Sequence, residues 1–174
     1  MRKRLGIMCS GNGTNFENIV RSCSEHEVML MIHNKKKCGA AKRAAKFGIN
    51  HCYVSHKNEH EMVKLFEAWN VDLIILAGYM RVLKNPSAFP CPIINVHPSL
   101  LPKYKGLHAV EQAMESEDKI TGCTVHYVNE ELDSGEIIKQ AEVPIFENDT
   151  VGELTKRIQR EEYRILPEVI NTLS

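Results

Sequence analysis

Short apolar runs alternate with amphipathic stretches over most of the chain. Arg4 to Cys9 is an apolar run suited to a strand, and a helix is expected from about Asn15 to Cys23. Val28 to His33 is a second buried-strand pattern, Ala40 to Phe47 a helix ending at Gly48, and Cys52 to Val54 a short strand. Met62, Leu65, Phe66 and Trp69 recur at helical spacing within Glu59 to Trp69. Leu73 to Ala77 and Pro92 to His97 are the fourth and fifth strands. Fully apolar strands separated by helices predict a wound, mostly parallel sheet.

The pattern changes after residue 107. A helix is expected over Ala109 to Ser116, followed by alternating stretches from Cys123 to Val128 and from Ile137 to Ile145. Alternation predicts strands, here antiparallel ones added at one sheet edge. Thr150-Val151-Gly152-Glu153 is a capping-box signal for a last helix running toward Leu166, where Pro167 is expected to kink it or begin a new segment. No repeat or linker interrupts the 174 residues, a length that fits one domain.

Chemistry concentrates where the fifth strand ends. Asn95 and His97 are two residues apart and share one strand face, and Pro98 stops the ladder behind them. Open α/β sheets keep their ligands just beyond such strand ends. An amide can donate to a developing oxyanion, and an imidazole can move protons near neutral pH. The plainer reading makes Asn95 a turn cap and His97 a satisfied structural histidine.

Two loops bear on that choice. Asn129-Glu130-Glu131-Leu132-Asp133-Ser134-Gly135 joins the late strands, and its glutamates fit a solvated turn. Asp133 is a partner for His97 if its loop folds back, because a carboxylate beside an imidazole orients the ring. Ser10-Gly11-Asn12-Gly13-Thr14-Asn15 follows the first strand and opens the first helix. Glycines and a helix N-terminus suit a phosphate, and a tight turn capped by Asn or Thr fits equally well. A dinucleotide fingerprint is disfavoured, because Phe16 stands where its third glycine would fall.

Composition narrows the classes. Hydrophobic residues make up 43% of the chain, enough for a sizeable core, and the formal net charge is zero, which gives no drive toward nucleic acid or a membrane surface. The apolar run behind the basic Met1-Arg2-Lys3-Arg4 is too short for a signal peptide, so a cytoplasmic location is expected. Six cysteines without a Cys-x-x-Cys pair argue for reduced thiols, and no metal site is expected. Lys35 to Lys37 with Lys42, Arg43 and Lys46 fit a solvated face better than an anion patch, and His108 and His126 fit structural roles.

Four segments stand together in a familiar order: Ser10 to Asn15, Ala77-Gly78-Tyr79-Met80-Arg81-Val82-Leu83, Asn95 to His108, and Glu131 to Gly135. On these the chain resembles the phosphoribosylglycinamide formyltransferase family nearly end to end. The resemblance implies an α/β fold, a wound sheet with helices on both faces and antiparallel strands at one edge, as a single formyltransferase domain over 1–174. It implies formyl transfer from 10-formyltetrahydrofolate, a co-substrate, to the amine of glycinamide ribonucleotide, with no metal. Both partners are small molecules, and the protein is expected as a monomer or homodimer.

The same resemblance implies roles. Asn95, His97 and Asp133 would be catalytic. Gly11, Asn12, Gly13, Thr14 and Asn15 would hold the phosphoribosyl end, and Gln159 and Glu162 the glycinamide part. Met80, Arg81, Val82 and Leu83, with Asn95 and with Asn129, Glu130, Glu131, Leu132 and Asp133, would line the folate pocket. Two departures stand out. Many members continue beyond Ser174, so that sheet edge is expected to be bare or paired differently. The stretch Ser55 to His60 has no clear match to a folate-contacting Arg of some members. A formyltetrahydrofolate hydrolase and a non-catalytic binding module for a phosphorylated metabolite are the alternative readings.

Overall fold

A computed structural model describes residues 1–173. Its elements run β1 (Arg4–Cys9), α1 (Thr14–Ser22), β2 (Glu27–His33), α2 (Gly39–Lys46), β3 (His51–Tyr53), α3 (Glu59–Ala68), β4 (Leu73–Leu76), β5 (Ile93–His97), α4 (Ala109–Glu115), β6 (Ile120–Tyr127), β7 (Ile137–Pro144) and α5 (Val151–Thr172). The strands form one seven-stranded sheet in the order β3-β2-β1-β4-β5-β6-β7. β1 pairs in parallel with β2 and β4, β2 pairs in parallel with β3, and β6 pairs antiparallel with β7. The expected mixed α/β sheet with an antiparallel edge is therefore present. Ser174, where the sequence reading placed its departure from longer family members, lies outside the described residues.

Two compact units divide the chain at Ile94 and Asn95. In the first unit, Leu5, Ile7 and Met8 of β1, Met31 and Ile32 of β2, and Ile74 and Ile75 of β4 are all buried. These runs are apolar without alternation because helices as well as neighbouring strands cover them. Met62 and Phe66 of α3 join this core, while Leu65 and Trp69 stay half-buried. The Phe66 ring lies on the β1 backbone at Gly6, where an added Cβ would meet it at 2.5 Å.

The second unit holds the end of β5 with α4, β6, β7 and α5. Thr150 caps α5 by accepting the Glu153 amide hydrogen at 3.1 Å, as the Thr-x-x-Glu pattern predicts. One expectation needs correction here. The helix does not break at Pro167 but continues to Thr172. An interior proline costs about 3 kcal/mol, whereas its buried neighbours Ile165, Leu166, Val169 and Ile170 each contribute roughly 1.5–3 kcal/mol by leaving water. The strand expected from Cys123 begins earlier, at Ile120, and its residues Thr121 to His126 are buried throughout. The polar members of that strand, Thr124 and His126, sit inside the fold and must find partners there.

Candidate active site

β5 carries Ile93 and Ile94 into the core and ends at His97, with Asn95 half-buried one pleat earlier. The His97 Nε2 lies 2.8 Å from the Tyr104 carbonyl oxygen. A carbonyl can only accept, so Nε2 carries a hydrogen and donates it. The other ring nitrogen, Nδ1, lies 3.5 Å from Asp133 Oδ2, with both side chains almost wholly covered. That spacing is an ion-pair contact rather than a tight hydrogen bond. The imidazole is thus held at one nitrogen and aimed at a carboxylate with the other.

Asp133 reaches this position through its backbone. Its φ of 49° lies in the left-handed region that aspartate tolerates better than most residues. The Gly106 amide donates to Asp133 Oδ2 at 2.7 Å. The loop returns to the sheet past Gly135, where an added Cβ would fall 1.7 Å from the Tyr127 carbonyl oxygen. Only glycine lets the two backbones approach so closely.

A second imidazole faces the same carboxylate. His126 Nε2 is 3.9 Å from Asp133 Oδ1, and its Nδ1 donates to the Tyr127 carbonyl at 3.0 Å. Burial first pushes the His126 pKa below its ordinary value, and the Tyr127 carbonyl and Asp133 oppose that shift. A buried imidazole that favours neutrality leaves Asp133 with His97 as its closer imidazole partner.

Thr124 fixes the turn between His97 and Tyr104. Its hydroxyl donates to the Ser99 carbonyl at 2.7 Å and accepts from the Leu101 amide at 3.1 Å and from Gln140 Nε2 at 3.0 Å. The Leu101-Pro102 peptide in this turn is cis.

The glycine loop belongs to the first unit. Gly13 adopts φ 80° as the N-cap residue of α1. Ala40 Cα stands 2.6 Å from where a Gly13 Cβ would be. Arg43, expected on a solvated face, instead donates to the Asn12 carbonyl at 2.7 Å and to Glu17 at 3.1 Å. Gly11, Asn12 and Thr14 are exposed and Asn15 is half-buried.

Buried Ser10 ties this loop to the next one. Its hydroxyl accepts the Met80 amide hydrogen at 2.8 Å, and its own amide donates to the Gly78 carbonyl at 3.2 Å. Met80, Arg81 and Val82 stand exposed while Leu83 is buried. Glu59 secures the far end by accepting the Lys84 and Asn85 amides at 2.7 and 3.0 Å.

The remaining predicted residues lie in the second unit. Asn129, Glu130, Glu131 and Leu132 are exposed, with the Asn129 side chain accepting the Glu131 amide at 3.0 Å. Gln159 and Glu162 lie three residues apart on α5 and so share a face; Gln159 is half-buried and Glu162 buried. The structure therefore brings His97 and Asp133 together and keeps the glycine and Met80 loops in contact through Ser10. Sequence reasoning gave no role to the Tyr104 carbonyl, the Gly106 amide or Thr124. Backbone groups leave no side-chain signature, and a threonine in an alternating strand reads as an ordinary surface position.

The sequence model of the formyl transferase family matches residues 3–170. The chain belongs to this family. It is 39% identical over 187 residues to the trifunctional purine biosynthetic protein adenosine-3 of Drosophila melanogaster, a match that covers 99% of this chain but 14% of that protein. It is also 39% identical to the phosphoribosylglycinamide formyltransferase of Haemophilus influenzae, over 97% of this chain and 85% of the relative. The crystal structure of glycinamide ribonucleotide transformylase 1 from Symbiobacterium toebii superposes with a TM-score of 0.92 at 40% identity, covering 97% of this chain and 86% of that one. Formyl transferases of this kind are enzymes, and the wound sheet with its late antiparallel pair is the architecture they share with this chain.

Proposed function

We propose that the chain transfers the formyl group of 10-formyltetrahydrofolate to the primary amine of glycinamide ribonucleotide, in purine synthesis. The observation that carries the reading is the imidazole of His97, fixed at Nε2 by Tyr104 and turned by Nδ1 toward Asp133. The names and high coverage of the relatives support the same assignment. Because the family model runs across both compact units, the chain is read as one formyltransferase domain.

In this reading the amine attacks the formyl carbon, a new N–C bond forms, and the bond from that carbon to the folate nitrogen then breaks. No serine or cysteine nucleophile is needed. Asn95 donates to the oxyanion of the tetrahedral intermediate. His97, protonated at Nδ1 beside the Asp133 carboxylate, hands that proton to the departing nitrogen, directly or through a water, and Asp133 keeps the ring oriented. The proton shed by the amine returns through the same pair, so the ring ends the cycle as it began. Part of the acceleration comes from bringing the two substrates together.

Gly11 to Asn15 would bind the phosphoribosyl end, Gln159 and Glu162 the glycinamide part, and Met80 to Leu83 with Asn129 to Asp133 the folate. No group of three or more potential metal ligands exists among the described residues, and the proposed chemistry calls for none. No helix among them is long and apolar enough to cross a membrane. In this reading the protein acts on small molecules in the cytoplasm, as a monomer or a homodimer.

A formyl-transfer assay with and without the amine acceptor tests the reading. Acceptor-dependent release of tetrahydrofolate supports it. Release at the same rate without the acceptor would make the chain a hydrolase, and tight ligand binding without turnover would make it a binding module.

A further inference from the structure

The nitrogen that His97 does not turn toward Asp133 is held by a backbone carbonyl, so something must hold that carbonyl. Tyr104 has φ 56°, a left-handed conformation that a bulky aromatic residue adopts only when its surroundings impose it. Its hydroxyl donates a short hydrogen bond to Asp118 Oδ2, in the turn before β6. The same oxygen accepts from Lys103 Nζ at 2.9 Å. Asp118 thus grips two consecutive residues of the loop. The Tyr104 hydroxyl first, and then Lys103, hold the Asp118 carboxyl below its ordinary pKa, so both partners favour the ionised acceptor. Ser99 grips the loop from the inner side, donating its hydroxyl to the Lys103 carbonyl at 2.5 Å.

We propose that Asp118 is a positioning residue for His97: by anchoring the Tyr104 side chain it keeps the Tyr104 carbonyl on Nε2, which fixes the Nε2–H tautomer and leaves Nδ1, facing Asp133, as the nitrogen that takes up and releases a proton. The loop does a second task two residues on, where the Gly106 amide holds Asp133. One brace therefore sets both members of the pair. This inference rests on the formyl-transfer reading for its consequence in catalysis, but not for its geometry. Asp118 touches no substrate in that reading and acts only through Tyr104.

The test compares three variants. Asp118→Ala removes the anchor, Tyr104→Phe removes only the hydroxyl and keeps the ring, and Asp118→Asn keeps an acceptor for the hydroxyl while losing the charge that draws Lys103. In the first two, kcat is expected to fall on the order of tenfold, short of the roughly 100-fold that an ångström of misplacement costs, with little change in KM for either substrate. Asp118→Asn is expected to recover most of that loss. Proton–nitrogen NMR of histidine-labelled protein reads the brace directly: the His97 Nε2–H signal is present and protected in the parent, and shifted with faster exchange in Asp118→Ala and Tyr104→Phe. An unchanged Nε2–H signal in both folded variants would overturn the proposal. If the parent protein transfers no formyl group, the reading of the reaction fails, while the NMR comparison still decides the brace.

Discussion

Asp133 lies beside His97 only because one loop holds both. The Tyr104 carbonyl takes the hydrogen of His97 Nε2 at 2.8 Å, and the Gly106 amide donates to Asp133 Oδ2 at 2.7 Å. The remaining imidazole nitrogen and that carboxylate oxygen then stand 3.5 Å apart.

Removing either member of this pair should remove most turnover and spare the fold. His97→Ala is expected to lose roughly 10²- to 10⁴-fold in kcat, the usual share of acid–base catalysis. Asp133→Asn is the gentler probe of its partner, because asparagine tolerates the same left-handed backbone. Steady-state kinetics alongside circular dichroism measure both. Near-normal kinetics in either variant would take that residue out of the mechanism.

Asn95→Asp should be more damaging than its size suggests. It exchanges a donor for a negative charge where an oxyanion is proposed to form, and losing one such donor costs about 10²- to 10³-fold in kcat. KM is expected to change less than kcat, since the bond forms fully only in the transition state. Retained activity would argue against the oxyanion role.

Gly135→Ala should act on stability and on the site together. A methyl there meets the Tyr127 carbonyl at 1.7 Å, so the loop carrying Asp133 must shift. Overpacking of this kind typically costs about 1–3 kcal/mol. Urea denaturation should show a lowered midpoint, and the surviving folded protein should turn over more slowly. An unchanged midpoint would mean that the loop relaxes freely.

Phosphate or a nucleoside monophosphate should slow amide hydrogen exchange across Gly11 to Asn15. The left-handed glycine at Gly13 and the backbone N–H groups at the N-terminus of α1 make this turn suited to an anion. Exchange that does not change at saturating ligand would leave it a purely structural turn.

Asp149 should shape the acid limb of the stability curve. Its carboxylate accepts two guanidinium hydrogens from Arg157, at 2.8 and 2.7 Å, and the Phe146 amide at 2.7 Å. Arg157 foremost, then that amide, hold its pKa at about 2 against an ordinary 3.8. Since the folded value lies below the unfolded one, the contribution is complete above an ordinary aspartate's pKa and is lost as pH falls toward about 2. Asp149→Asn should therefore lower stability at neutral pH and flatten the decline across that acid window. Urea midpoints taken through the window measure it, and parallel curves for the two proteins would rule the pair out as a source of acid sensitivity.

Among the described residues, the period of apolar residues was sufficient to locate every strand, four of the α-helices and the start of α5 to within a few residues, because burial on both faces of β1, β2 and β4 and on one face of α5 is written directly into side-chain type. The motif at Asn95 and His97 was equally legible, since neighbours two apart on a strand share a face whatever the rest of the molecule does. Tertiary structure alone decided what faces them. Asp133 reaches the imidazole through a left-handed turn and a backbone contact at Gly135, Gly106 holds the Asp133 carboxylate, and Tyr104 contributes a carbonyl that every residue type possesses. Pro167 stays helical for the same kind of reason: a local penalty of a few kcal/mol is outweighed by apolar surface that becomes buried only when α5 packs onto β6 and β7. Local sequence sets propensities, whereas long-range contacts select among conformations whose energies differ by no more than a handful of such terms.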